Sequence, residues 1–230
     1  MLVHQSPVRS PLTRPRAFRL AGLLAGAVAL LAACGDTDSD GGATSTTVEA
    51  ADTTAARAGL YSMVVGYDGV TPLDDCPIGS LDVVVSVLTP IVDMSVFDGA
   101  AVSYNGAREM QSFKGAIGCA KGDLSGPAGT DVGLTVLGGG TADFLTLMDG
   151  SHQTADWDVP TVEQFAGGRV TSMCVEGSDT EMPECVSWWE SDGLMVVVNL
   201  RVGGTTAGAT TSALQTVLPG VLATLAARGE

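Results

Sequence analysis

Five cysteines carry the most specific chemistry in the sequence, and four of them lie in the part of the chain that we expect to fold. An even number of cysteines in the folded part of an exported protein is typical of disulfide bonds. A metal site is disfavoured, because zinc sites combine closely spaced cysteines with histidines. Three pairings are possible, and we favour the pairing of sequence neighbours, so the sequence predicts two disulfides and no metal. The four cysteines concerned are Cys76, Cys119, Cys174 and Cys185.

The fifth cysteine, Cys34, follows a short apolar run. Residues 1–19 contain four arginines and no acidic residue, and residues 20–31 are apolar. This pattern is typical of a secretory signal, and twelve residues are too few to span a hydrocarbon core of about 30 Å. Leu31-Ala-Ala-Cys34 resembles the lipobox of bacterial lipoproteins. The resemblance implies a signal peptide at residues 1–33, cleavage before Cys34, and a diacylglyceryl anchor of the palmitate type on its thiol.

The residues that follow Cys34 distinguish an anchored protein from one with an ordinary signal peptide. Residues 35–56 are small, polar and acidic, without an aromatic residue. Such a composition cannot bury enough apolar surface to fold, and it suits a flexible spacer. We therefore expect an acylated, disordered tether at residues 34–56 and one folded domain at residues 57–230. The protein would be lipid-anchored in the cell membrane and would face outside the cytoplasm.

Catalytic chemistry has weak support. Beyond the signal the chain has a single histidine, His152, with Asp156 and Asp158 close by in sequence. A serine hydrolase needs a nucleophile, a base and an orienting acid, and no Gly-x-Ser-x-Gly motif supplies the serine. We expect no enzymatic activity, with an extracytoplasmic hydrolase as a distant alternative.

Two further motifs are incomplete. Asp36, Asp38 and Asp40 match the start of a calcium-binding loop, but the twelfth position holds Thr47 instead of a bidentate glutamate. Residues 138–140 are three glycines after a predicted strand, without the lysine or the spacing of a phosphate-binding loop. Neither motif supports a cofactor, and we expect none.

The best candidate for a binding site is the region 174–190. Trp188 and Trp189 are adjacent, so on a strand they point to opposite faces of the sheet. One must pack inward, whereas the other either is buried as well or is exposed to a partner. The preceding loop is acidic and would be held by a disulfide. We therefore take Trp188, Trp189, Glu181 and Glu184 as candidate residues for binding a ligand or partner.

The charge of the chain excludes one class of partner. Four of the eleven basic residues lie in the signal, and the remaining seven, set against 26 acidic residues, give the rest of the chain a formal charge of −19. Such a surface repels nucleic acid and anionic headgroups. Contact with the membrane is expected only through the lipid anchor.

The elements that would position these residues are predicted from periodicity. Leu81–Leu88 has an apolar helical face with Ser80 at its start, although its valines also suit a buried strand. Residues 211–228 predict a C-terminal helix in which Pro219 makes a kink or a break. Strands are predicted at 60–65, 100–104, 111–119, 131–137, 169–175, 184–190 and 193–202, and a short helix at 141–148. Strands that are clustered in sequence, with helices at the edges, predict an α+β fold with a mainly antiparallel sheet.

The layout is similar to that of a known group of proteins. Asp75-Cys76-Pro77 precedes a predicted helix, Phe165-Ala-Gly-Gly-Arg169 precedes Cys174, and Cys185-Val-Ser-Trp-Trp-Glu190 leads into an apolar strand. This layout resembles uncharacterised actinobacterial surface lipoproteins, with an acylated N-terminus and a disulfide-bonded α+β domain of sensor or ligand-binding type. The resemblance implies a location and a fold class, but no reaction.

The sequence thus predicts a non-enzymatic envelope lipoprotein that binds a ligand or an envelope protein. The alternative is a carrier of lipid or another apolar molecule, since 45% of the residues are hydrophobic and few are large aromatics.

Overall fold

The described part of the chain combines α-helices with one antiparallel sheet. The computed structural model describes residues 53–67, 76–98, 100, 102–107, 115–123, 129–138, 144, 157–177 and 182–229. The helices are α1 Thr53–Gly66, α2 Leu81–Leu88 and α3 Ala207–Ala226, with a 3-10 helix at Ser95–Phe97. The strands are β1 Val102–Ala107, β2 Ala116–Gly122, β3 Asp131–Leu137, β4 Thr161–Phe165, β5 Gly168–Val175, β6 Glu184–Ser191 and β7 Leu194–Arg201.

The seven strands form one sheet in the order β1-β2-β3-β7-β6-β5-β4. Every neighbouring pair is antiparallel. The helices come at the start of the described region and at its C-terminal end. The predicted α+β fold with an antiparallel sheet is confirmed.

Two tight hairpins fix the register around β5, β6 and β7. Ala166 and Gly167 connect β4 to β5, and Asp192 and Gly193 connect β6 to β7. All four residues have positive φ, between 47° and 75°. Positive φ at both central residues is what a type I′ turn requires, and this turn matches the right-handed twist of the flanking strands.

The three helices cover one side of the sheet, which we call the near face. α3 packs on β5, β6 and β7, α2 packs on β2 and β3, and α1 packs against α3. α3 is long and apolar enough to span a membrane, but half of it is buried in the domain, so we treat it as a core helix. The apolar face of this predicted helix is buried and includes Leu214, Leu218, Leu222 and Leu225.

The first helix corrects the prediction of a strand at residues 60–65. The buried residues of α1 recur at helical spacing, and the opposite side of the helix is exposed. The buried residues include Ala56, Leu60, Met63 and Val64. Burial of this stripe against α3 outweighs the strand preference of the adjacent valines.

The folded region also begins earlier than predicted. α1 starts at Thr53, so the last four residues assigned to the tether belong to a helix. Thr53 is buried, and its Oγ1 donates a hydrogen bond to Asp192 Oδ2 at 3.1 Å. Gly59 lets α1 approach α3 closely, because a Cβ at this position would overlap the carbonyl group of Leu225.

Other elements differ from the prediction in extent. β1 and β2 lie a few residues later than expected, and β2 continues as far as Gly122. β4 was not predicted, because residues 161–164 are all exposed at the sheet edge and show no alternation. α3 begins at Ala207 and runs through Pro219 without ending. The predicted helix at 141–148 lies outside the described residues apart from Phe144, which is helical.

Both predicted disulfides are formed. Cys76 and Cys119 join the segment before α2 to β2, with their Cα atoms 5.8 Å apart. Cys174 and Cys185 are register partners that join β5 to β6. Each bond therefore fixes one part of the sheet, and the favoured pairing of sequence neighbours is confirmed.

Candidate functional site

The far face of the sheet, the side turned away from α1, α2 and α3, carries its own apolar cluster. Trp188 of β6 and Val197 of β7 are register partners, so both side chains lie on this face. The far-face cluster consists of Ala116, Leu137, Phe144, Met173, Val186, Trp188, Met195 and Val197, with Trp157 packed against it.

Trp188 is the largest buried side chain of the far-face cluster, with 1% of its surface exposed. Its ring lies edge-on to Phe144, with the centroids 5.4 Å apart. The Nε1–H of Trp188 is buried and has no hydrogen-bond acceptor within the part of the chain that the structure describes. Buried tryptophan N–H groups usually find a partner, and an unsatisfied buried donor costs about 1–3 kcal/mol. The far-face cluster therefore contains a strong donor that the described residues leave unused.

Trp189, the next residue, differs from Trp188 in both its face of the sheet and its hydrogen bonding. It lies on the near face and is fully buried. Its Nε1–H donates to the carbonyl oxygen of Phe165 at 2.8 Å. Gly168 makes room for the indole, because a Cβ at that position would overlap the ring. Trp189 is thus a satisfied core residue that ties β6 to the β4–β5 hairpin.

A row of charged side chains lies beside the far-face cluster. Asp131, Arg201 and Glu184 are register partners across β3, β7 and β6, and we call these three the charged row. Arg201 Nη2 lies 3.0 Å from Asp131 Oδ1, and Arg201 Nε lies 3.8 Å from Glu184 Oε2. The two carboxylate side chains are only 3% and 6% exposed. One guanidinium therefore serves two buried carboxylates.

Asn199 supports the charged row from the same face. Its Nδ2 donates to Asp131 Oδ2 at 2.7 Å. Gly133 makes this possible, because a Cβ there would overlap the Asn199 amide. Burial raises the pKa of Asp131 above its ordinary value of 3.8, although Arg201 and the Asn199 hydrogen bond oppose the shift. The balance indicates a carboxylate that is only partly compensated by its partners.

A second polar group, made of hydroxyls, lies on the near face under the first turns of α3. Ser187 Oγ donates to Ser172 Oγ at 2.8 Å and is 2.7 Å from Thr210 Oγ1. Ser172 Oγ is 2.6 Å from Thr211 Oγ1. The hydroxyls of both serines form these hydrogen bonds with other hydroxyls. None of these partners is a base that would activate a nucleophile. We interpret the group as the polar contact that docks α3 on β5 and β6.

The structure changes the basis of the predicted recognition site. That hypothesis combined an acidic, disulfide-held loop with a tryptophan that could be exposed to a partner, and both Trp188 and Trp189 are buried. Glu184 starts β6, as the predicted strand at 184–190 has it, and its side chain is buried beside Arg201. Glu181 lies outside the described residues. Binding by region 174–190 stays a prediction.

Most of the remaining candidate residues lie outside the part of the chain that the structure describes. Cys34, His152 and the three aspartates of the incomplete calcium loop lie outside the described residues. Of the three glycines, Gly138 is described, and its N–H donates to the carbonyl of Gly115 at 2.9 Å. Within the described ranges, no group of three or more His, Cys, Asp or Glu side chains could hold a metal ion.

Sequence reasoning missed the polar residues of the far face: Asp131, Asn199 and Arg201. Two predicted strands, 131–137 and 193–202, contained all three residues. Their meeting depends on the pairing of β3 with β7, which are separated by three other strands in the chain. Charged residues within strongly apolar strands were the one available signal.

Comparison with known proteins identifies no family. No protein-family model matches the chain, and no curated protein matches it. Among solved structures, the chain is similar to the solution structure of cyanobacterial PsbP (CyanoP) from Synechocystis, with 10% sequence identity and a TM-score of 0.27. The match covers 55% of this chain and 91% of that chain.

Proposed function

We propose that this protein is a membrane-anchored extracytoplasmic lipoprotein whose folded domain binds a ligand without transforming it. One observation carries the binding part of the proposal, namely the unused donor of Trp188 inside the apolar far-face cluster. The large majority of buried polar groups in folded proteins are paired. Exceptions to such rules concentrate at functional sites, and an apolar site with few polar groups is the usual composition of a ligand pocket.

Cysteine usage supports the location. All four cysteines of the folded domain are joined in disulfides. Disulfides persist in oxidising compartments outside the cytoplasm, so these two bonds are consistent with an exported protein. Cys34 is the one cysteine of the sequence outside these bonds, as acylation of its thiol would require.

The anchor is tested by metabolic labelling with an alkyne analogue of palmitate. We expect the label on the wild-type protein and its loss in the Cys34→Ser variant, together with release of that variant from the membrane fraction. Mass spectrometry of the mature protein should find Cys34 as the modified first residue. Label that persists in Cys34→Ser would refute the anchor.

Ligand binding is tested by native mass spectrometry of the protein purified from its own envelope under mild conditions. We expect a bound small apolar molecule whose mass is unchanged after incubation with the protein. A co-purifying protein would favour a partner-binding function instead. Chemical conversion of the bound molecule would contradict the non-enzymatic part of the proposal.

A further inference from the structure

We infer that the outer edge of β4 is a dimerisation edge, at which two copies of this chain join their sheets through antiparallel β4 strands. The inference concerns a surface separate from the far-face cluster and goes beyond ligand binding. Four properties of the described residues lead to it: the open main chain, the unprotected edge, the register and the distribution of charge.

The main chain of β4 is open on one side. β4 is the last strand of the sheet, and β5 is its neighbour. Phe165 comes directly before the two-residue turn and therefore forms a hydrogen-bonded pair with the first residue of β5. Bonded pairs alternate along an antiparallel ladder, so Glu163 also bonds to β5, whereas the N–H and C=O groups of Val162 and Gln164 point away from it. No other residue in the described part of the chain bonds to these groups.

This edge lacks the features that usually prevent strands from pairing between molecules, which are lysine, proline, bulges and covering elements. β4 contains no lysine and no proline, and its pairing with β5 runs without a bulge. Residues 161–164 are all exposed. The opposite edge, β1, differs, because the hydroxyl of Tyr67 donates to the main-chain carbonyl of Tyr104 at 3.2 Å. Of the two sheet edges, β4 is therefore the more accessible to a further strand.

A two-fold register centred on Val162 suits a second copy. It places the two Val162 residues opposite each other, where each N–H donates to the other's carbonyl oxygen. The Val162 side chain, which is 60% exposed, then gains an apolar neighbour. Glu163 faces Thr161 of the second copy in this register. A register centred on Glu163 would instead place two carboxylates opposite each other, which is unfavourable.

The charge distribution favours a second copy over a basic partner. The chain has a formal charge of −15, so two copies repel each other least where their surfaces carry few charges. β4 has one charged residue, Glu163, whose Oε1 accepts a hydrogen bond from Gln215 Nε2. The helix that contributes Gln215, α3, has no charged residue. The edge thus offers a basic segment little attraction, whereas two copies meet there with little repulsion.

The inference is tested by native mass spectrometry of the protein purified from its own envelope in a mild detergent, over a series of concentrations. We expect a dimer whose fraction falls on dilution. Val162→Lys puts two like charges opposite each other and should raise the dimer dissociation constant about tenfold. Val96→Lys is the matched control, because Val96 is 53% exposed on the 3-10 helix and the change of charge is the same. The control should leave the dissociation constant unchanged.

Val162→Pro tests the main-chain bonds. Proline removes the outward N–H of this residue and leaves the bonds between β4 and β5 intact, since proline is tolerated on an edge strand when its nitrogen faces solvent. Both symmetric bonds of the dimer are lost, so this variant should also weaken the dimer about tenfold.

Amide hydrogen exchange of the wild type tests the register without a variant. The amide of Val162 should exchange slowly in the dimer and rapidly after dilution, whereas the amide of Glu163, which bonds to β5, should be protected in both states. A wild type that stays monomeric up to its solubility limit would overturn the inference, and so would a dimer that Val162→Lys leaves intact or that Val96→Lys weakens equally. A different protein that binds the wild type but not Val162→Lys, with the isolated chain monomeric, would also overturn it.

Discussion

Trp188 and Trp189 are consecutive residues of β6, and only the indole N–H of Trp189 donates a hydrogen bond within the described part of the chain. The Trp189 N–H donates to Phe165 O at 2.8 Å on the near face. The Trp188 N–H, on the far face, has no acceptor among the residues that the structure describes. Because both side chains are buried, the pair offers an internal comparison of a satisfied and an unsatisfied donor in one strand.

The first prediction uses this pair. Trp189→Phe should lower the free energy of unfolding by about 1–3 kcal/mol more than Trp188→Phe, because it leaves the Phe165 carbonyl without its donor whereas Trp188→Phe removes a group that was already unsatisfied. Both substitutions remove the same ring volume, so the loss of packing largely cancels in the comparison. Urea unfolding of the ligand-free variants measures the difference, and an equal or larger loss for Trp188→Phe would contradict it.

The second prediction concerns the contact of α1 with α3. Gly59→Ala should destabilise the protein by about 1–3 kcal/mol or more, because the new Cβ overlaps the backbone of Leu225, which cannot rotate away. Gly66→Ala at the end of the same helix meets no atom within 4 Å, so its effect should stay within about 1 kcal/mol. Thermal unfolding followed by circular dichroism compares the two. Similar melting temperatures for both variants would mean that α1 is not packed as described.

The third prediction concerns pH. Burial raises the pKa of Asp131, so the folded state holds this proton more tightly than the unfolded state does. The contribution of Asp131 to stability therefore falls as the pH rises from its ordinary value of 3.8 through the raised value. Asp131→Asn cannot titrate, so across this window the wild type should lose stability relative to the variant as the pH rises. Urea unfolding at a series of pH values tests this, and parallel profiles would exclude Asp131 as the cause.

The fourth prediction compares the disulfides. In the chain-entropy relation, a bond that spans 43 residues contributes about 4 kcal/mol and one that spans 11 residues about 3 kcal/mol. Replacing both Cys76 and Cys119 with alanine should therefore cost more stability than replacing both Cys174 and Cys185. Denaturant unfolding of the two double variants, without reductant, gives the order. The reverse order would indicate that native packing around the shorter loop, and not loop entropy, dominates.

Sequence patterns predicted most of the sheet and the apolar faces of α2 and α3. The strand at 131–137 was predicted with its observed ends, because an apolar run is bounded there by polar or glycine residues. α2 was predicted from its buried residues at i, i+3 and i+7, although the side chain of Ser80, the N-cap residue, forms no capping hydrogen bond. Both disulfides followed from cysteine order. Local periodicity is sufficient for such elements, because each signal lies within one segment of the chain.

The misses have tertiary causes. α1 was predicted as a strand, because its helical stripe is meaningful only against α3, which lies at the other end of the sequence. The charged row forms only after β3 has paired with β7 and β7 with β6. The sequence identified the two tryptophans as candidates, but the difference between their N–H groups depends on a carbonyl of a different hairpin. Such relationships arise from topology, which no single segment specifies.

Under the proposed anchoring at Cys34, the early start of α1 limits how far the folded part can lie from the membrane. With the anchor proposed at Cys34 and the folded part beginning at Thr53, nineteen peptide steps connect lipid and domain. At about 3.3–3.6 Å per residue, even a fully stretched connection reaches no further than about 65 Å. The folded part would therefore stay within this distance of the point on the membrane where the lipid is inserted. A target embedded within that radius would meet the folded part at a raised local concentration, so even modest intrinsic affinity would be sufficient for capture.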